Sequence, residues 1–236
     1  MPPLPAFLAP VFVLTTALAV GIFYVAAHRA KWFLGLMGAW LLLQGSLALS
    51  GFYTVTGGLP PRLALALGPP LLGLVSLRSR ARGRAWLDSL RLETLTLLHT
   101  VRLPVELVLW SLYQYHAVPR LMTFEARNWD VLFGLSAPPL YWLAFRGPRV
   151  SRRLLLSWNV LGLASLLNIV ANAVLSVPTP LQRFAFEQPN VAILYFPFTW
   201  LPAVVVPLML LAHLAAMMQT WPRRALTPAP STPTAP

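Results

Sequence analysis

The chain has 236 residues, 57% of them hydrophobic and only 10% charged; an ordinary soluble domain has roughly 25% charged residues, so this chain lacks the polar surface a water-soluble fold of its size needs. Its net charge of +12 does not mark a nucleic-acid partner, because the arginines are dealt into short loops between apolar runs rather than gathered on one solvated patch. With no cysteine there is no disulfide, thiolate nucleophile or Cys-held metal, and no other set of metal ligands stands out.

The apolar runs meet the length of about 20 residues that a helix needs to cross a hydrocarbon core about 30 Å thick. They lack the period-2 alternation of barrel strands, and open sheet edges are excluded in lipid. The sequence therefore predicts an all-α integral membrane bundle of seven transmembrane helices. In chain order the predicted spans are 7–27, 32–53, 63–77, 94–115, 131–145, 154–177 and 191–219. The first has no basic segment before it and is followed by His28, Arg29 and Lys31, which suits a retained helix better than a cleaved signal peptide. The third and fifth are short and carry Pro69–Pro70 and Pro138–Pro139, which should kink them. The seventh carries Pro197, Pro202 and Pro207, so it should bend or break and leave carbonyls free. Residues 221–236 are rich in Pro, Thr and Ala and are expected to form a disordered cytoplasmic tail. No loop is long enough for a soluble domain.

Seven crossings sort the loop charges unevenly. One side holds thirteen: Arg29, Lys31, Arg78, Arg80, Arg82, Arg84, Arg91, Arg146, Arg149, Arg152, Arg153, Arg223 and Arg224. The other holds four: Arg62, Arg120, Arg127 and Arg183. Cytoplasmic loops carry the Lys and Arg excess, which predicts the N-terminus outside and the C-terminus in the cytoplasm.

Span 94–115 is the one that carries charge into the bilayer. His99, Arg102, Glu106, Trp110 and Tyr113 recur at steps of three and four and so share a helical face. Ionisable residues at that depth usually face the bundle interior and mark a pathway or site; alternatively, Arg102 and Glu106, one turn apart, form an internal ion pair that locks packing. Counting depth along the spans brings His213, Trp158 and Asn159 to the level of His99, with Asn168, Asn172 and Gln44 nearer the middle. An interior cluster of His99, Arg102, Glu106, Tyr113, Asn159, Asn168, Asn172 and His213 follows. Each amide taken singly is as well explained by a hydrogen bond between helices.

A second cluster is expected in the outer loops: His116, Arg120, Glu125, Arg127, Asn128 and Asp130, with Arg183 and Glu187 in the next loop. Its mixed charge fits a hydrogen-bonded lid, and Trp129, Phe184 and Phe186 equally fit interfacial anchors.

Known chemistries of seven-span proteins narrow the field. A retinal Schiff base needs a lysine in the seventh span, and the only lysine is Lys31. Intramembrane zinc hydrolases need several His with an Asp inside the membrane, which four His and no Asp within any span do not supply. No cofactor is predicted; a b-type haem, the alternative, needs two axial His at one depth, a condition that His99 and His213 meet.

The runs HTVRLPVELVLW (99–110), VPRLMTFEARNWD (118–130) and FAFEQPNVAILYFPFTWLP (184–202) together resemble a family of uncharacterised bacterial multi-pass integral membrane proteins over about residues 90–220. The resemblance implies the bacterial inner (cytoplasmic) membrane and supplies no activity. The leading expectation is small-solute or proton-linked transport, or ligand binding, through a polar intramembrane cavity, with the lipid bilayer and a small molecule as partners. The alternatives are a membrane enzyme or a b-type haem or quinone redox protein, and a sensor or assembly subunit without chemistry. The sequence specifies neither an enzymatic reaction nor an oligomeric state.

Overall fold

Large apolar side chains such as Leu14, Leu42, Leu72 and Leu161 stand exposed on the outer helix faces. This is the surface expected where the surroundings are hydrocarbon rather than water. The computed structural model describes residues 2–146 and 151–221. Regular structure among them is helical: α1 (Leu8–Ala26), α2 (Lys31–Leu49), α3 (Ala64–Ser79), α4 (Ala81–Ser89), α5 (Leu92–Leu98), α6 (Arg102–Gln114), α7 (Asp130–Tyr141), α8 (Arg152–Leu175) and α9 (Val206–Thr220). The tail beyond 221, with Arg223 and Arg224, and Arg149 lie outside the described residues.

Among the described residues five segments, not seven, are long and apolar enough to cross a membrane: Leu8–Ala26, Lys31–Leu49, Leu92–Gln114, Arg152–Leu175 and Leu201–Thr220. The predicted spans 63–77 and 131–145 are the two that fail. α3 has 16 residues, about 24 Å at 1.5 Å per residue, short of a core about 30 Å thick. α7 has 12 residues and gives way at Trp142 to a wider turn, Trp142–Arg146. The proline pairs inside both helices remove the amides that carbonyls four residues back would bond. Losing two crossings also removes the charge argument for orientation. With five crossings the 17 Lys and Arg residues in the loops and at the span ends divide ten to seven, and the expected N-out, C-in arrangement no longer follows.

Two proline effects position the interior. α5 and α6 form one rod interrupted by a tighter turn, His99–Val101, because Pro104 has no N–H for the Thr100 carbonyl. α9 is preceded by a widened turn, Leu201–Val205. There Pro207 leaves the Ala203 carbonyl without its helical donor, and the Trp40 indole of α2 donates to it at 2.9 Å. The interruption expected from Pro197, Pro202 and Pro207 is therefore present, and the freed carbonyl holds α2 to the bundle. The α5–α6 rod packs between α1, α7 and α9, and α8 lies along α9. Apolar contacts such as Phe12 on Phe198, ring centres 5.4 Å apart, fill the centre by dispersion packing.

Candidate functional site

Arg102 starts α6 just after the tight turn, which aims its guanidinium at α7, α8 and α9. It is 3% exposed. One terminal nitrogen donates to Asp130 Oδ1 at 3.0 Å; the other donates to His213 Nε2 at 2.9 Å and reaches the Gly162 carbonyl at 3.5 Å. A guanidinium has only donors, so His213 Nε2 must accept and the ring proton sits on Nδ1. That proton is donated to Asn159 Oδ1 at 2.9 Å, and the Asn159 amide donates to the Leu155 carbonyl at 2.8 Å. Asp130 also accepts from the Ser165 hydroxyl at 2.6 Å.

Glu106 does not pair with Arg102. One carboxylate oxygen accepts from the Asn128 side-chain amide, which also donates to the Met122 carbonyl at 3.0 Å. Asn128 Oδ1 accepts the Asp130 backbone N–H at 3.0 Å, so the Glu106 and Arg102 arms are joined through residues 128–130. The expected i, i+4 ion pair is replaced by Arg102–Asp130 because Asp130, in the first turn of α7, reaches the guanidinium directly. Three buried atoms of this network have no partner among the described residues: Glu106 Oε2, Arg102 Nε and His99 Nδ1.

The sequence-derived interior set is only partly brought together. His99, Arg102, Asn159 and His213 converge, with Glu106 joined through Asn128. Asn168 and Asn172 lie further along α8: Asn168 donates to the Arg127 carbonyl at 2.9 Å and Asn172 to Asn168 Oδ1 at 3.2 Å, tying α8 to the loop before α7. The Tyr113 side chain is half-buried against the core, and Gln44 accepts from the Tyr53 hydroxyl away from the network. The expected outer cluster splits. His116 pairs with Gln188 at 3.0 Å, and Glu125 accepts from Trp110 at 2.7 Å and lies 3.8 Å from Arg120. Asn128 and Asp130 instead turn inward and complete the Arg102 site. Ser165 and Gly162 join it unforeseen: a Cβ on Gly162 would sit 2.6 Å from His213 Cε1, so only glycine admits the imidazole there.

The geometry does not fit haem. The His99 and His213 rings stack face to face, 4.0 Å between centres and 25° between planes. Axial ligands must instead point at the iron from opposite sides of a macrocycle, and both His213 nitrogens are already engaged.

A cavity of about 280 Å³ adjoins the network, bounded by α3, α6, α8 and the Leu201–Met209 stretch. Val105, Leu109, Leu166, Ile169, Val170 and Val205 are typical of its wall, and apart from Thr179 its polar side chains gather at one place: Arg102, Glu106, Asn128 and Asp130. The expected polar cavity is thus an apolar one with a polar end. α3 walls it on one side and is mostly exposed, with Ala66 its one buried residue.

A family model described as a domain of unknown function (DUF8737) matches residues 60–220, which include the whole network and every residue lining the cavity. Neither the curated proteins nor the solved structures contain a match.

Proposed function

Since the chain belongs to the DUF8737 family and that description assigns no activity, its chemistry must be read from its own cavity, and we propose that this multi-pass membrane protein binds an amphipathic small molecule drawn from the bilayer. The observation that carries the reading is Glu106 Oε2, a buried acceptor without a partner among the described residues at the polar end of an otherwise apolar cavity. A buried acceptor left unmatched is costly. A ligand hydroxyl or amine would satisfy it while an alkyl or isoprenoid chain lies among Val105, Ile169 and Val205. Mostly apolar walls with a few convergent polar groups are the usual form of a small-molecule site. The α3 wall exposes Leu65, Leu72 and Val75, a surface suited to hydrocarbon, and offers a lateral way in. The apolar walls favour this ligand over a small polar solute, and the resemblance of residues 99–110, 118–130 and 184–202 to bacterial membrane proteins supports the inner membrane as its location.

The test is binding of a fluorescent long-chain alcohol to the protein in mild detergent. Ile169→Trp, which fills the cavity, is expected to weaken binding at least about tenfold. Glu106→Leu removes the acceptor while Asn128 keeps the Met122 carbonyl; a buried ligand donor left unmatched costs about 1–3 kcal/mol and should weaken binding about 5- to 100-fold. Unchanged affinity in both variants would exclude the cavity as the site.

A further inference from the structure

A second apolar recess, of about 480 Å³, opens between α2 and α3. Trp32 and Trp40 of α2, Gly73 and Leu77 of α3, Trp86 of α4 and Leu208 of α9 shape it, and it shares no lining residue with the Glu106 cavity. Apolar side chains exposed on both flanking helices, Leu34 and Leu36 on α2 and Leu72 and Val75 on α3, place its mouth toward the hydrocarbon. Whatever fills it arrives from the bilayer.

One end of the recess is strongly basic. Arg78 follows the lining residue Leu77, and Arg80, Arg82 and Arg84 fall between Leu77 and the lining residue Trp86. α4 folds back tightly on the end of α3. Buried Gly83 lies so close to the Leu77 backbone that a Cβ would collide with it. Arg84 closes the turn by donating to the Ser79 and Arg78 carbonyls at 2.8 and 3.3 Å, where a cation suits the negative end of the α3 dipole. Arg84 is thereby occupied, whereas Arg78, Arg80 and Arg82 are exposed. Trp32 and Trp86, ring centres 5.6 Å apart, stand at this same end, in the manner of residues anchored at the headgroup level.

We propose that the recess between α2 and α3 binds an anionic phospholipid, one acyl chain lying in the recess and the phosphate meeting Arg78, Arg80 and Arg82. Charge complementarity selects this occupant. Clustered arginines beside a membrane segment attract anionic headgroups, the planar guanidinium matches phosphate oxygens, and a zwitterionic lipid would offer the same chain with less attraction. An acidic peptide from water would meet the arginines and leave the hydrocarbon-facing recess unfilled.

The experiment is thermal unfolding of the full-length protein in an uncharged detergent, titrated with phosphatidylglycerol or phosphatidylcholine of matched chains. Phosphatidylglycerol is expected to raise Tm on the order of 5 °C near saturation, and phosphatidylcholine to do so much less. Arg80→Gln combined with Arg82→Gln should abolish the difference between the lipids. Gly73→Leu, whose Cβ meets open space and so fills the recess without displacing the protein, should abolish the shift itself. Ile169→Trp, which blocks only the other cavity, should leave the shift intact. An equal shift by both lipids, no shift by either, a selective shift that survives the arginine and Gly73 variants, or loss of the shift in Ile169→Trp would each overturn the proposal.

Discussion

Arg102 carries a full charge into the interior, and its neighbours read as the means of accommodating it. Asp130 supplies the opposite charge, His213 accepts a second donor, and the Asn159 and Ser165 hydrogen bonds hold those two partners in place. Breaking a buried ion pair on one side is far more damaging than never having had it, because the surviving charge stays buried. Asp130→Ala is therefore expected to cost about 3–5 kcal/mol and Ser165→Ala about 1 kcal/mol, read from SDS-induced unfolding in mixed micelles. The two losses should not add, since both act through one carboxylate. A cost below about 1 kcal/mol for Asp130→Ala would mean that Arg102 is not compensated by Asp130. Much of this site was legible in the sequence. His99, Arg102 and Glu106 share a helical face, and span depth brings His213 and Asn159 beside them. By sequence Asn128 and Asp130 fall in an outer loop that fits a lid or an interfacial cap, because nothing local distinguishes an acid at the end of a loop from one opening an inward-facing helix. The missing signal was stoichiometric: an interior arginine needs a carboxylate, and Asp130 is the acid at the start of the next apolar run. Gly162 has no such signal, since the space it yields to His213 exists only after α8 and α9 pack.

At the scale of elements, proline decides where helices stop and what joins them. The sequence marked spans 63–77 and 131–145 by their proline pairs, yet hydropathy counts apolar residues without regard to which of them are helical. α3 begins after the Pro60–Pro61 turn, and α7 loses regular helical bonding at Trp142, so each falls short of a full crossing. In Leu201–Thr220 the same chemistry serves assembly, because the Ala203 carbonyl freed by Pro207 accepts from Trp40. That dependence can be measured as a double-mutant cycle. Trp40→Phe alone strands a buried carbonyl and should cost about 1–3 kcal/mol. Combined with Pro207→Ala, which restores a backbone N–H able to bond Ala203, it should cost at least about 1 kcal/mol less. Equal losses in the two backgrounds, measured by unfolding in mixed micelles, would show that the indole contributes packing alone.

Across the whole molecule the two recesses divide along the chain. Every residue lining the Glu106 cavity lies between Pro61 and Met209, inside the family match of 60–220. The basic recess borrows Phe23, Trp32 and Trp40 from α1 and α2, before the match begins. The N-terminal pair is held by contacts that do not depend on chain continuity: Trp40 to the Ala203 carbonyl, Trp200 to the Leu41 carbonyl at 3.1 Å, the Arg91 amide to the Ala26 carbonyl at 3.0 Å, and Phe12 on Phe198. The connection between the two parts passes through exposed Gly57 and Gly58, where an added Cβ would meet open space. Membrane helices that are each stable alone associate through such packing and hydrogen bonds whether or not a loop joins them. Residues 1–57 and 58–236, produced together as separate chains with a tag on the first, are therefore expected to co-purify. The alcohol probe should bind the pair within about twofold of the intact protein, a difference well under 1 kcal/mol, and the pair should keep its selective stabilisation by phosphatidylglycerol. Failure of the halves to co-purify would mean that the Gly57–Gly58 connection, rather than these contacts, holds α1 and α2 in place.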